Sequence, residues 1–308
     1  MSTDQAAQSP RPAAGGGGGD REEPAVRETS PVHGREDEVS SPTMRRDVVV
    51  GAGLLAAAAN IIMQLARPGV GYGVVESKVD DGNVYKRPFK RGRTTLTYLA
   101  VAMLGTDEER SAYRRAVNKQ HVQVRSDESS PVEYNAMDPE LQLWVAACLY
   151  KGFEDVYVAY LGELPADELD AIYRSAAPLG TTLQVREDMW PASRAAFEEY
   201  WQRNLAKVDI DDTVREYLYG IATASFLPKP LHLLLRRFNL FVTTGFLPQE
   251  FRQQMRLRWT PRQQRRFDAM NRVLGRVIRT APLSLRAFPY NAYLWDVRRR
   301  LRAGKPLV

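Results

Sequence analysis

The chain has one cysteine, Cys148, and three histidines, His33, His121 and His232, among 308 residues. A disulfide framework needs paired thiols and a structural zinc site needs three or four Cys or His ligands, so neither organises this fold. A lone cysteine also leaves the redox compartment open. Lysine is scarce as well: eight of the 43 basic residues are Lys, and Arg carries most of the formal net charge of +6. A surplus of this size bears on solubility and on attraction to anionic partners, not on fold. The local signatures of common catalytic sites are missing too. There is no G-x-S-x-G turn for a serine nucleophile, no H-E-x-x-H zinc pair and no Glu-x-x-His repeat of a di-iron bundle.

What is present is 44% hydrophobic and 26% charged, enough to bury a sizeable core. The chain divides unevenly. Residues 1–43 hold Ser, Pro, mixed charges and the run Gly15 to Gly19, with almost no large apolar side chains. Such a segment cannot bury enough surface to offset its ordering entropy, so a disordered tail is expected, with His33 silent inside it. Its acidic, Pro-rich start is unlike a secretory signal, so a cytoplasmic protein is expected, with peripheral membrane association left open. A single all-α domain is expected over residues 44–308.

The first apolar block, Asp47 to Ala66, admits three readings. Its length and the preceding Met44-Arg45-Arg46 suit a membrane span, against which Asn60, Gln64 and many alanines count. Val48 to Val50 followed by Gly51-Ala52-Gly53-Leu54-Leu55-Ala56 resembles a dinucleotide-binding turn, with Glu76 or Asp80 at a tolerable distance for a ribose. That turn has meaning only inside a parallel sheet, and no alternation of strands and crossover helices follows it. A buried helix with close-packing small residues is favoured.

Beyond Pro68 and Gly69 the pattern is helical almost throughout. A helix is predicted from about Arg93 to Leu104. Thr106 caps the next, which carries Glu108 and Glu109 in its first turn and runs to about Val124. In it Tyr113, Val117, His121 and Val124 recur at helical spacing, so the His121 imidazole points inward. Asp138-Pro139 starts a long apolar helix containing Cys148, expected to be a small core residue. Further starts are predicted at Pro165, Pro191 and Asp211. Pro228 and Pro230 precede a Leu-rich helix near 231–242, and Pro248, Pro261 and Pro282 punctuate three more. From Arg252 to Arg302 there are fourteen Arg against two acids, Asp268 and Asp296. Trp259, Phe267, Val273, Leu274, Val277 and Ile278 are spaced as core. The arginines then read as the solvated face opposite, pairing with acids such as Glu198, Glu199 or Asp209 to Asp212. Contact with an anionic membrane through these C-terminal helices stays open, and no nucleic-acid partner is expected.

An all-helical chain with one inward-facing histidine, preceded by the cationic and hydroxyl cluster Lys90-Arg91-Gly92-Arg93-Thr94-Thr95, suits haem, whose iron needs a single imidazole. A plain core histidine fits the same spacing. The motifs decide between them by resemblance. Pro68 to Ser77 (PGVGYGVVES), Arg91 to Leu99 (RGRTTLTYL), Leu104-Gly105-Thr106, Val117 to Val124 (VNKQHVQV), Tyr134 to Ala147 (YNAMDPELQLWVAA) and Thr244 to Pro248 (TGFLP) together resemble the MpaB and latex-clearing rubber oxygenase catalytic-domain family.

The resemblance implies an all-α fold enclosing a b-type haem, with dioxygen used on the carbon–carbon double bonds of a hydrophobic, isoprenoid-like substrate. It implies that His121 ligates the iron, and that Arg91 and Thr95 are the distal arginine and threonine. Thr94 departs from the pattern: latex-clearing members carry a lysine there that can occupy the distal iron position, and a threonine cannot ligate in that manner. Glu76 is the nearest candidate for the acidic base of the rubber enzymes, with a turn carboxylate as the alternative. Two other classes remain: a haem-binding sensor or carrier without turnover, suggested by Thr94, and a non-haem helical protein acting at a membrane or acidic partner.

Overall fold

The computed structural model describes residues 51–308, and the tail expected over residues 1–43 and Val48 to Val50 lie outside them. Among the described residues there is no β-strand, only an isolated antiparallel bridge between Arg125 and Asn135. The dinucleotide reading fails accordingly. Gly51–Ala56 is a 3-10 turn that leads into helix α1, Ala57–Leu65, and no sheet stands among the described residues to give that turn a dinucleotide crevice. α1 buries Ala59, Ile62, Met63 and Leu65, as a core helix does. No single helix among the described residues is long and apolar enough to cross a membrane, although α1 with its lead-in turn and α2, Pro68–Val75, make a bent pair of suitable composition.

The remaining helices are α3 (Pro88–Leu104), α4 (Asp107–His121), α5 (Pro139–Leu161), α6 (Ala166–Arg174), α7 (Pro178–Thr181) and α8 (Arg194–Leu205), followed by α9 (Asp212–Ala222) and α10 (Lys229–Phe246). After them come α11 (Gln249–Gln254), α12 (Pro261–Thr280), α13 (Leu283–Arg286) and α14 (Tyr290–Arg302). Several of their starts follow from side chains that satisfy the orphan N–H groups of the first turn, and α3, α7 and α10 begin instead with proline in the first turn. Thr106 and Glu109 form a reciprocal capping box at α4, and Asp138, Ser193 and Asp211 cap α5, α8 and α9. Several predicted boundaries move: α8 begins at Arg194, capped by Ser193, instead of at Pro191, and the Leu-rich helix runs over Lys229–Phe246. α3 begins at Pro88 instead of Arg93, because proline at a first helical position loses no hydrogen bond. α4 ends at His121, and the chain turns away before Val124.

α5 is the axis of the core. Trp144, Ala147, Cys148 and Tyr150 are fully enclosed, and Trp144 stacks on Trp201 of α8 at 5.2 Å between ring centroids. α1 crosses α5 where Asn60 Nδ2 donates to the Cys148 carbonyl at 2.6 Å. α12 crosses it at Gly275, where a Cβ would stand 1.9 Å from the Tyr160 carbonyl oxygen, so only glycine fits. α14 lies along α3 and is tied to α4 by Arg298, which donates to the Glu109 carboxylate at 2.7 Å.

The C-terminal helices correct one expectation. Phe267 and Ile278 are core and Trp259 and Leu274 are half-buried, but Val273 and Val277 are 59% and 60% exposed. The inward face of α12 runs through Phe267, Asn271, Gly275 and Ile278, and Val273 and Val277 sit well over 100° round the helix from its centre. The arginines do pair with acids in places, as Arg256 does with Asp212 at 3.2 Å, but none reaches Glu198 or Glu199 among the described ion pairs.

Candidate functional site

The principal cavity, about 250 Å³, lies between α2, α3, α4, α5 and the segment that follows α7. Its walls are mostly apolar: Val70, Val74, Val117, Leu141, Val145 and Leu183 contribute, with Gly69 and Gly73 on α2. Polar groups enter chiefly from α3. Starting that helix at Pro88 puts Lys90, Thr94 and Tyr98 at i, i+4 and i+8, with Arg91 beside them, so all four line the cavity. Two hydrogen bonds pin this face. Tyr113 Oη donates to the Thr94 carbonyl at 2.8 Å, and Tyr98 Oη donates to the Leu179 carbonyl at 2.5 Å.

His121 stands in the last turn of α4 and faces the same space, in register with Tyr113 and Val117 as the spacing predicts. Its Nδ1 is buried and makes no hydrogen bond. Burial, aided by the positive charge of Arg91, pushes its pKa down to about 4, so the imidazole is neutral at physiological pH and its lone pair is free to bind a Lewis acid. Arg91 is half-buried on the wall of the same cavity. Burial pulls its pKa below the ordinary guanidinium value, and its side chain has no ion pair or hydrogen bond among the described residues. A guanidinium partly withdrawn from water and without an anion favours negative charge placed beside it in the cavity. Lys90 is not free in that way: its ammonium contacts Asp81 at 2.5 Å.

Thr94 lines the cavity and donates its hydroxyl to the Lys90 carbonyl at 3.0 Å. Thr95 does not join it. Adjacent residues on a helix diverge by about 100°, and Thr95 lines a second, smaller cavity of about 100 Å³ walled by Leu96, Leu99, Leu149, Phe153 and Val156. Gln64 borders both spaces. Glu76 lies at the C-terminal end of α2 outside the cavity lining, where its carboxylate accepts from Ser130 Oγ at 2.8 Å and Tyr134 Oη at 2.9 Å. The structure therefore brings His121, Arg91 and Thr94 together and leaves Thr95 and Glu76 apart. Sequence reading passed over Gln120 as a cavity residue and did not pair Lys90 with Asp81.

Among the described residues there is no group of three or more His, Cys, Asp or Glu that could hold a metal ion by itself. Metal chemistry here requires a group that brings most of its own ligands.

The chain belongs to an oxygenase family, the one described as ER-bound oxygenase mpaB/B'/Rubber oxygenase, catalytic domain, matched over residues 46–280. Uncharacterized proteins of Mycobacterium tuberculosis and Mycobacterium bovis are each 56% identical to it over 255 residues, covering 83% of this chain and all of theirs. No solved structure matches the chain.

Proposed function

We propose that the protein is a haem b-dependent oxygenase that uses dioxygen on a hydrophobic, isoprenoid-like alkene. The observation that carries this reading is that a neutral His121 and a half-buried Arg91, without a partner among the described residues, line one mostly apolar cavity. The residues present fit haem. A tetrapyrrole supplies four ligands and asks the protein for one imidazole, and His121 with its orphaned Nδ1 is a ring whose polar partners are incomplete without a ligand. Bound haem would supply the redox-active iron at which dioxygen is activated.

The chain's own residues then have distinct tasks. His121 holds the group from α4. Arg91 keeps a fixed positive charge in a space of low polarity, where hydrogen bonds to negative charge developing on oxygen are strong and need no reorganisation. Thr94 presents a hydroxyl oxygen and cannot take the lysine's role. The valines and leucines of α2, α4 and α5 exclude water and accept a hydrocarbon chain. Thr95 acts on this reading only through α3, as its side chain faces the second cavity.

The test is oxygen uptake by the haem-reconstituted protein with a polyprenyl substrate, with carbonyl products identified by mass spectrometry. Uptake coupled to cleavage products supports the reading. A haem-loaded protein that consumes no oxygen with any polyprenyl chain sinks it in favour of a carrier or sensor.

A further inference from the structure

Basic side chains in the first turn of a helix stand against its dipole, whose positive end lies there, and acids are the residues that stabilise such positions. α4 follows the rule, with Asp107, Glu108 and Glu109 in its first turn. α3 does the opposite. Its N-cap is Arg87, its first turn holds no acid, Lys90 and Arg91 follow directly, and no side chain caps its free N–H groups. That end of α3 is therefore unfavourable until negative charge is brought to it.

Asp81 supplies part of the charge. One of its oxygens accepts from Arg87 at 2.7 Å and the other from Lys90 at 2.5 Å. The neighbouring Asp80 is taken up by Lys86. Glu76 does not make up the difference, since its carboxylate accepts from Ser130 and Tyr134 outside the cavity lining. Three cations, Arg87, Lys90 and Arg91, thus share one carboxylate among the described residues. Lys90 has capacity left as well, because an ammonium carries three N–H donors and Asp81 takes one.

These groups sit where a ligand would meet them. Lys90, Arg91 and Asp81 all line the principal cavity, and Asp81 is the only acid in its lining. The Lys90 and Asp81 side chains are 34% and 38% exposed, so they stand at the mouth, with the valines and leucines of α2, α4 and α5 behind them. A surplus of positive charge at the solvent side of an apolar space matches a ligand divided in the same manner, an apolar body that ends in an anion.

We infer that this mouth is a carboxylate-binding site, in which Lys90 donates to the carboxylate of an otherwise apolar ligand. A single negative charge suits the place better than the two of a phosphate, because Asp81 beside Lys90 repels a dianion twice as strongly. Two ligands offer this chemistry: haem through its propionates, on the reading above, and a linear isoprenoid acid through its carboxyl end. Arg91 adds its charge to the field while its guanidinium stays available for oxygen. The inference rests on the cavity, and only its porphyrin arm rests on the haem reading.

The test is titration of the haem-free full chain with two matched pairs of probes, followed by calorimetry or fluorescence: metal-free protoporphyrin IX against its dimethyl ester, and farnesoic acid against farnesol. One acid is expected to bind about tenfold or more tightly than its neutral counterpart, with the preference lost in about 1 M salt, and the pair that shows it identifies the source. Lys90→Gln is expected to remove the preference and leave the neutral probe's affinity unchanged. Asp81→Asn is expected to raise the acid's affinity severalfold. Both substitutions break the same ion pair, so opposite signs separate ligand binding from a structural role, and unchanged far-ultraviolet circular dichroism confirms the fold. Equal affinities within both pairs, no binding by either pair, a preference that survives Lys90→Gln, or weaker acid binding in Asp81→Asn would each overturn the inference. A farnesoic acid preference without porphyrin binding would uphold it and sink the haem reading, whereas haem uptake with no preference in either pair would do the reverse.

Discussion

Acid should weaken the haem-free protein through His121, and the size of the effect follows from its burial. The imidazole titrates near 6.5 in an unfolded chain and at about 4 in the folded protein, first because burial disfavours its charge and second because Arg91 repels it. The unfolded state therefore binds more protons across this interval, and stability falls as pH falls. The contribution is fully present above about pH 6.5 and lost progressively down to about pH 4. Integrated, the gap corresponds to about 3 kcal/mol, of which about 2 kcal/mol is lost between pH 7 and pH 5. Urea unfolding of wild type and His121→Leu at those two pH values isolates it. The wild type should lose about 2 kcal/mol more than the variant. Equal losses in both proteins would mean that His121 is hydrated and protonates freely, and the neutral ligand argued for here would fail with it.

Other expectations are more local. Arg91→Gln should leave the fold and haem content intact, raise the His121 pKa by removing a repulsive charge, and lower oxygen turnover by roughly a hundredfold or more, read by oxygen electrode and by titration of the imidazole resonance. Gly275→Ala should destabilise by about 2–3 kcal/mol in urea unfolding, because the new Cβ meets a backbone carbonyl that cannot turn aside. Glu109→Ala removes both the Thr106 N–H bond and the Arg298 pair. Arg298 is half-exposed, so the expected loss is about 2 kcal/mol, measured as a fall in the urea midpoint.

How far the sequence leads can be seen residue by residue. His121 was legible because Tyr113, Val117, His121 and Val124 share a helical period, and a period survives small errors in where a helix begins or ends. The caps Thr106, Asp138 and Asp211 were legible because their chemistry is local. Arg91 and the two threonines were legible as a cluster but not as a geometry. A motif read as a string puts Thr94 and Thr95 side by side, and a helix turns them into separate cavities. Glu76 shows the same limit: only the fold reveals that Ser130 and Tyr134 occupy its carboxylate. Val273 and Val277 were misread because apolar residues at helical spacing do not say which face a neighbouring helix covers, and α12 turns its glycine-bearing side to α5. An exposed stripe on α10 is the same difficulty seen from the other side, since Leu231, Leu234 and Phe238 look like core until the packing is known.

The central claim is that His121 holds haem b in the principal cavity. Its most direct test is the absorption spectrum of purified wild type and His121→Ala side by side, with a pyridine haemochrome assay after reconstitution. A b-type Soret band near one haem per chain in wild type, lost in the variant while its circular dichroism is unchanged, is the predicted result. A wild type that takes up no haem, or a variant that keeps the full band, would contradict it.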